Sequence, residues 1–148
     1  MIITILYLIL LAALHAKVEL MTEGKFGWGL KFPCWHVNNR LINLLIGKEL
    51  TGYHFYMCIM FLLLFHSPLL FISWTLSLQF QILGYYFLYW IAEDFFWFIE
   101  SPHYGLRNFK KGRIYWHKRF FCFLPVSYWI GIIIGTILLL LGYAYTIR

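Results

Sequence analysis

Residues 125–145 read PVSYWIGIIIGTILLLLGYAY, an unbroken run without a charged side chain. About twenty helical residues extend roughly 30 Å, which matches the hydrocarbon thickness of a lipid bilayer. Pro125 suits the first turn of a helix, and Trp129 and Tyr145 are aromatic residues of the kind that anchor helix ends at the membrane surface. This stretch therefore predicts a membrane-spanning helix.

The composition of the whole chain agrees with that prediction. The chain has 148 residues, of which 62% are hydrophobic and 12% are charged. Soluble domains are about 45–50% apolar and about 25% charged, so an ordinary soluble fold is excluded. The chain is predicted to be one all-α integral membrane domain, 1–148: a four-span antiparallel helical bundle with spans at about 1–21, 51–66, 72–100 and 125–145.

Basic residues predict how this bundle is oriented. The segment 22–50, with the adjoining end of the first span, carries five lysines and arginines, and the segment 101–124 carries six. The short link between the second and third spans carries none. Because lysine and arginine concentrate in cytoplasmic loops, both longer segments are predicted to be cytoplasmic and both termini non-cytoplasmic, with a bacterial inner membrane as the expected location. Between the first two spans, Arg40–Ile46 is predicted to lie on the membrane surface as a short helix.

All six acidic residues and five of the six histidines are gathered at the predicted cytoplasmic end of the bundle, and only His66 lies at the other end. His15, Glu19 and Glu23 are four residues apart and share one helix face, and Glu93 and Glu100 share a face of the third span. Carboxylates near hydrocarbon are costly and turn inward to find partners. The sequence therefore predicts a polar site, lined by histidines and carboxylates, at this end of an otherwise apolar bundle.

Three hypotheses account for the polar site. In the first, it binds a metal, because carboxylates and histidines on facing helices of a bundle suit di-iron or zinc. Glu100 and His103 have the Glu-x-x-His spacing, although Pro102 interrupts the helix that gives this spacing its geometry. The predicted metal ligands are Glu19, Glu93, Glu100 and His103.

In the second hypothesis, acid–base groups act on a lipid-like substrate that enters between the helices. The predicted acid–base residues are Glu93, Asp94, His15 and His54. In the third, Glu93 and Asp94 only form ion pairs with basic residues such as Lys17, Arg113 or Lys118. We take as the working prediction a polar site that binds or acts on a lipid-like substrate, and whether the protein is an enzyme stays open.

Two further groups of residues predict partners. Gly131, Gly135 and Gly142 lie on one face of the fourth span, where small residues let another helix approach closely. An alternative function is therefore a non-catalytic subunit that docks another membrane protein, or a second copy, through Gly131 and Gly135. The basic cluster beside the third span is predicted to hold anionic lipid headgroups rather than nucleic acid; it comprises Lys110, Lys111, Arg113, Lys118 and Arg119.

Overall fold

The computed structural model describes residues 2–29, 31–46, 48–114 and 116–146, and these residues are mostly helical. Met1, where the predicted first span begins, lies outside the described residues. The α-helices of the described ranges are α1 (Ile2–Glu23), α2 (Arg40–Ile46), α3 (Gly52–Phe65), α4 (Leu76–Glu100) and α5 (Val126–Thr146). Two-residue antiparallel strands pair β1 (His36–Val37) with β2 (Leu50–Thr51), and β3 (Phe120–Phe121) with β4 (Leu124–Pro125).

Local sequence signals explain where the long helices begin and end. Thr51 and Thr75 have extended backbones, and their hydroxyls accept hydrogen bonds from the amides of His54 and Leu78, which caps α3 and α4. The cap at Thr75 is the reason that α4 begins at Leu76, four residues later than the predicted third span. Ser101 is extended, as a residue before proline favours, and this ends α4 at Glu100.

Helix α4 is the element against which the other long helices pack. It contacts α1, α3 and α5. On the α1 side, Ala12 and Ala16 are fully buried and allow close approach. On the α3 side, the rings of Phe61 and Tyr89 stack with their centroids 5.1 Å apart. One central helix therefore brings side chains from α1 and α3 to a common region.

The glycine face of α5 packs directly against α4. A Cβ atom built on Gly135 would lie 2.9 Å from Cγ of Leu88 and 3.1 Å from the carbonyl oxygen of Gly84. Gly131 packs against Ile91, and Gly142 packs against Gln81. The face that the sequence offers for helix docking is therefore covered by a helix of the same chain.

Replacing Gly135 by leucine is expected to lower the free energy of unfolding by about 1–3 kcal/mol, because the added side chain overpacks the contact between α4 and α5. The neighbouring Thr136→Leu variant is the control, since Thr136 is exposed and the substitution also adds a leucine side chain. Thermal unfolding of both variants in mild detergent would measure the difference. Equal midpoints for the two variants would contradict this packing.

Two helices, α1 and α5, are long and apolar enough to cross a membrane by length and composition alone. Helix α3 is apolar but shorter, with 14 residues. The outward faces of α1 and α5 are apolar, with Ile3, Leu6, Ile133 and Leu140 all more than half exposed. Such faces are typical of helices that contact lipid or another apolar partner.

Candidate metal centre

Two buried histidines, one on α1 and one on α3, are held in the same way. Nδ1 of His15 lies 2.9 Å from the hydroxyl of Tyr89, and Nδ1 of His54 lies 2.7 Å from the hydroxyl of Thr51. Nε2 of each ring is buried and has no hydrogen-bond partner. When Nδ1 carries the proton and donates it to the hydroxyl, Nε2 presents a free lone pair.

Two carboxylates of α1 face these nitrogen atoms. Because Glu19 and Glu23 follow His15 at intervals of four residues, they continue the buried face of the helix. Nε2 of His15 lies 3.7 Å from Oε1 of Glu19, and Nε2 of His54 lies 3.3 Å from Oε1 of Glu23. Both carboxylate oxygens are buried and neither accepts a well-aligned hydrogen bond, although a proton on Nε2 of His54 would make its contact with Glu23 an ion pair. One atom each of Glu19, Glu23 and His54 lies within 4.8 Å of the other two, a spacing that could hold a metal ion.

Glu93 of α4 adds a third carboxylate. It is 3% exposed, and its Oε1 also lacks a hydrogen-bond partner. It follows Tyr89, the partner of His15, by one helical turn, so it faces the level of Glu19 on α1. It lies close enough to interact electrostatically with Glu19, Asp94, Lys48 and Glu23. His15, Glu19, Glu23, His54 and Glu93 are hereafter called the buried cluster.

A tryptophan from the loop after α1 packs against the His54 and Glu23 side of the buried cluster. The ring of Trp28 stacks on His54 with centroids 3.6 Å apart, and its backbone amide donates to Oε2 of Glu23 over 2.9 Å. Trp28 has a φ of 53°, in the left-handed region that costs a non-glycine residue about 1–2 kcal/mol. Its indole Nε1 donates to the carbonyl of Glu49, and Nζ of Lys48 lies 3.2 Å from the ring centroid. These contacts offset the strain and hold the ring in place.

Asp94, next to Glu93 in sequence, has hydrogen-bond partners of its own. Its carboxylate accepts from Nζ of Lys48 over 2.9 Å, from Nε2 of His117 over 3.0 Å and from the hydroxyl of Tyr128. Burial lowers the pKa of His117 below its ordinary value, against the opposing effect of Asp94. The basic partner of Asp94 is thus Lys48, not Lys17, Arg113 or Lys118. Because each oxygen of Asp94 already has a partner, we do not include it in the buried cluster.

The remaining predicted site residues lie elsewhere. Glu100 pairs with Lys17, Nζ to Oε2 at 3.5 Å, and both line a surface pocket of about 330 Å³ together with His103. The last turn of α4 faces the exposed side of α1 there, so Glu100 and His103 are not brought to Glu19 and Glu93. The five basic residues predicted to hold lipid headgroups are exposed; they are Lys110, Lys111, Arg113, Lys118 and Arg119.

Several residues that complete the site are absent from the sequence-based prediction. Thr51 and Tyr89 could have been found, because Thr51 is the N-cap three residues before His54 and Tyr89 is one turn before Glu93. Trp28 stands between Gly27 and Gly29, both with positive φ, and this pattern indicates a tight loop but not its target. The contact between Lys48 and Asp94 joins residues 46 positions apart, and no local pattern indicates it.

Comparisons of the chain with models of known families, with curated proteins and with solved structures each find no match. The class of the protein therefore follows from its own fold and site. It is a mostly helical protein with two helices that are long and apolar enough to cross a membrane, and with a buried cluster of histidines and glutamates.

Proposed function

We propose that the chain is an integral membrane protein that spans the bilayer with α1, α3, α4 and α5, and that its buried cluster is a metal-binding centre. The exposed apolar faces of α1 and α5 support insertion into the bilayer. The basic residues of the loops support a cytoplasmic location for the end that holds the cluster. A bacterial inner membrane is the membrane we expect.

The metal proposal depends on one observation: buried ligand atoms of Glu19 and Glu23 on α1 and of His54 on α3 lie within 4.8 Å of one another. Buried polar atoms without partners are rare in proteins, because burial removes their hydrogen bonds to water and nothing replaces them. A metal ion bound by Glu19, Glu23 and His54 would give such atoms a partner. The hydroxyls that hold Nδ1 of each histidine have the role of the outer groups that orient ligating histidines.

Charge supports the same proposal. Glu19, Glu23 and Glu93 are three buried carboxyl groups, and Lys48, which interacts with Glu19 and Glu93, forms its ion pair with Asp94. Neighbouring carboxylates in a buried position repel one another, and a divalent cation bound between them would offset that repulsion. Imidazole and carboxylate ligands together suit zinc, iron(II) or manganese(II).

Metal analysis of the purified protein tests the proposal. The protein is expected in the membrane fraction after an alkaline carbonate wash, and it is expected to retain zinc, iron or manganese after detergent extraction and gel filtration. His54→Ala is expected to lower the metal content, and His66→Ala is the matched control, because His66 lies at the opposite end of α3. Wild-type protein that holds no metal, and takes up none when these ions are added, would refute the proposal.

A lipid-like substrate stays a prediction from the sequence. The alternative of a docking subunit would need a surface other than the Gly131 and Gly135 face, because α4 covers that face. The buried cluster is therefore the feature on which we base the function.

A further inference from the structure

The surface pocket between the last turns of α1 and the end of α4 has a positive and a negative side chain in its wall. Its volume is about 330 Å³, near the lower end of the range of about 300–1,000 Å³ for pockets that hold small molecules. It is lined by Lys17, Leu20, Met21, Gly24, Glu100, Pro102 and His103. The pocket therefore has room for a small polar group, and none of its residues belongs to the buried cluster.

The two charged side chains of the pocket are paired loosely enough to take further partners. Nζ of Lys17 lies 3.5 Å from Oε2 of Glu100, which is longer than a charge-assisted hydrogen bond of about 2.7–2.9 Å. The side chain of Lys17 is 50% exposed and that of Glu100 is 24% exposed. An ammonium group has three donors and a carboxylate has two acceptor oxygens, so each can also bind a ligand group of the opposite charge.

An exposed apolar stripe on α1 leads along the helix to this pocket. Four residues lie on one helix face, because they are spaced by four, three and four positions; they are Leu10, Leu14, Lys17 and Met21. The three apolar members are each more than half exposed. A hydrocarbon chain that lies along Leu10 and Leu14 would therefore have its polar end at Lys17 and the pocket.

From this combination we infer that the pocket binds the headgroup of a membrane phospholipid that carries a primary amine, of the phosphatidylethanolamine type. The phosphate would pair with Lys17, and the ammonium group of the lipid would donate to the carboxylate of Glu100. The imidazole of His103 can donate a further hydrogen bond to a phosphate oxygen. Binding of this kind rests on the proposed insertion of α1 and α4 into the bilayer, and it does not depend on the metal centre.

The charges of the pocket favour a zwitterionic headgroup with a primary amine over other common headgroups. An anionic headgroup such as phosphatidylglycerol would pair with Lys17 but would place its negative charge near Glu100 without a cation to offset it. A choline headgroup is positively charged, but its trimethylammonium group has no N–H to donate. A primary ammonium group has three donors, so it can bind Glu100 while the phosphate binds Lys17.

Native mass spectrometry of the detergent-purified protein measures this preference. The protein is titrated with phosphatidylethanolamine, phosphatidylglycerol or phosphatidylcholine, all with the same acyl chains. The wild type is expected to bind phosphatidylethanolamine about tenfold more tightly than either of the others, because only its headgroup forms charge-assisted hydrogen bonds with both Lys17 and Glu100.

Three variants test the residues to which the preference is assigned. Lys17→Met is expected to weaken the binding of phosphatidylethanolamine by about tenfold. Glu100→Gln is expected to remove the preference over phosphatidylglycerol, because the charge that attracts the amine and repels the anionic lipid is gone. Lys111→Met is the matched control, since Lys111 is exposed and does not line the pocket.

The possible outcomes separate this site from the proposed membrane insertion. Equal binding of the three lipids by the wild type, or equal binding of phosphatidylethanolamine by Lys17→Met and Lys111→Met, would overturn the inference. Soluble phosphoethanolamine that binds as tightly as the lipid would assign the pocket to a soluble ligand and also overturn it. Absence of the protein from the carbonate-washed membrane fraction would overturn membrane insertion as well. Because the comparison of the three lipids uses the wild type, poor folding of a variant would not leave the question open.

Discussion

Removing metal from the purified protein with a chelator is expected to lower its midpoint of thermal unfolding by on the order of 10 °C. A ligand present at about a thousand times its dissociation constant stabilises the folded state by about 4 kcal/mol. For a chain of this length, each kcal/mol shifts the midpoint by about 2–4 °C. The physical reason is that Glu19, Glu23 and His54 meet only in the folded state, so an ion bound by them stabilises that state alone. Circular dichroism during heating, with and without chelator, measures the shift.

Two double variants serve to identify the source of this shift. Glu19→Gln with Glu23→Gln removes two of the buried charges, so chelator is expected to have little further effect on its midpoint. Glu49→Gln with Glu100→Gln removes two partly exposed carboxylates outside the buried cluster and should respond as the wild type does. Addition of Zn²⁺ or Mn²⁺ after chelation is expected to restore the wild-type midpoint. Unchanged stability of the wild type after its metal is removed would contradict the expected effect.

Replacing Lys48 by methionine is expected to lower the free energy of unfolding by about 3 kcal/mol. Lys48 is 8% exposed and binds Asp94 at 2.9 Å, and its ammonium group also lies over the ring of Trp28. Truncating Lys48 leaves the charge of Asp94, whose side chain is 21% exposed, with only His117 and Tyr128 as hydrogen-bond donors, which is more costly than losing the attraction alone. Chemical unfolding of the variant in detergent measures this change.

The control for this variant is Lys17→Met. Lys17 pairs with Glu100 at 3.5 Å, but its side chain is 50% exposed, so its removal is expected to cost no more than about 1 kcal/mol. Adding Asp94→Asn to Lys48→Met is expected to recover part of the lost stability, because the unpaired charge is then gone. If Lys48→Met and Lys17→Met had equal effects, the pair of Lys48 and Asp94 would not be the buried contact described here.

The residues brought together on α1 illustrate what a local pattern can predict. His15, Glu19 and Glu23 are four residues apart, and any α-helix must place them on one face. The cost of a carboxylate exposed to hydrocarbon also predicted that Glu93 faces inward on α4, where it can find partners. It did not separate Glu93 from its neighbour Asp94, although the first faces Glu19 and the second faces Lys48 and His117. Adjacent residues of a helix point about 100° apart, and only the positions of the packed neighbours show which partner each one meets.

The metal ligands predicted from the sequence show the same division. Glu100 follows Glu93 by seven residues, and that periodicity predicted both for one site. In the structure α4 ends at Glu100, whose side chain pairs with Lys17, while the nitrogen atom beside Oε1 of Glu23 comes from His54 on another helix. Periodicity relates residues within one helix, whereas a metal site is assembled from several.

The sequence by itself determined that the chain is mostly helical and that α1 and α5 are long and apolar enough to cross a membrane, whereas the four predicted spans also include α3, which has only 14 residues, and α4, which is not one of those two helices. These properties follow from composition and from spacing along the chain, and the physics of a single helix is enough to derive them. Only the tertiary structure decided that the buried ligand atoms of Glu19, Glu23 and His54 lie close together, that Trp28 stacks on His54, and that Lys48 forms an ion pair with Asp94. Those contacts join residues far apart in sequence, and they depend on how α4 packs against its neighbours.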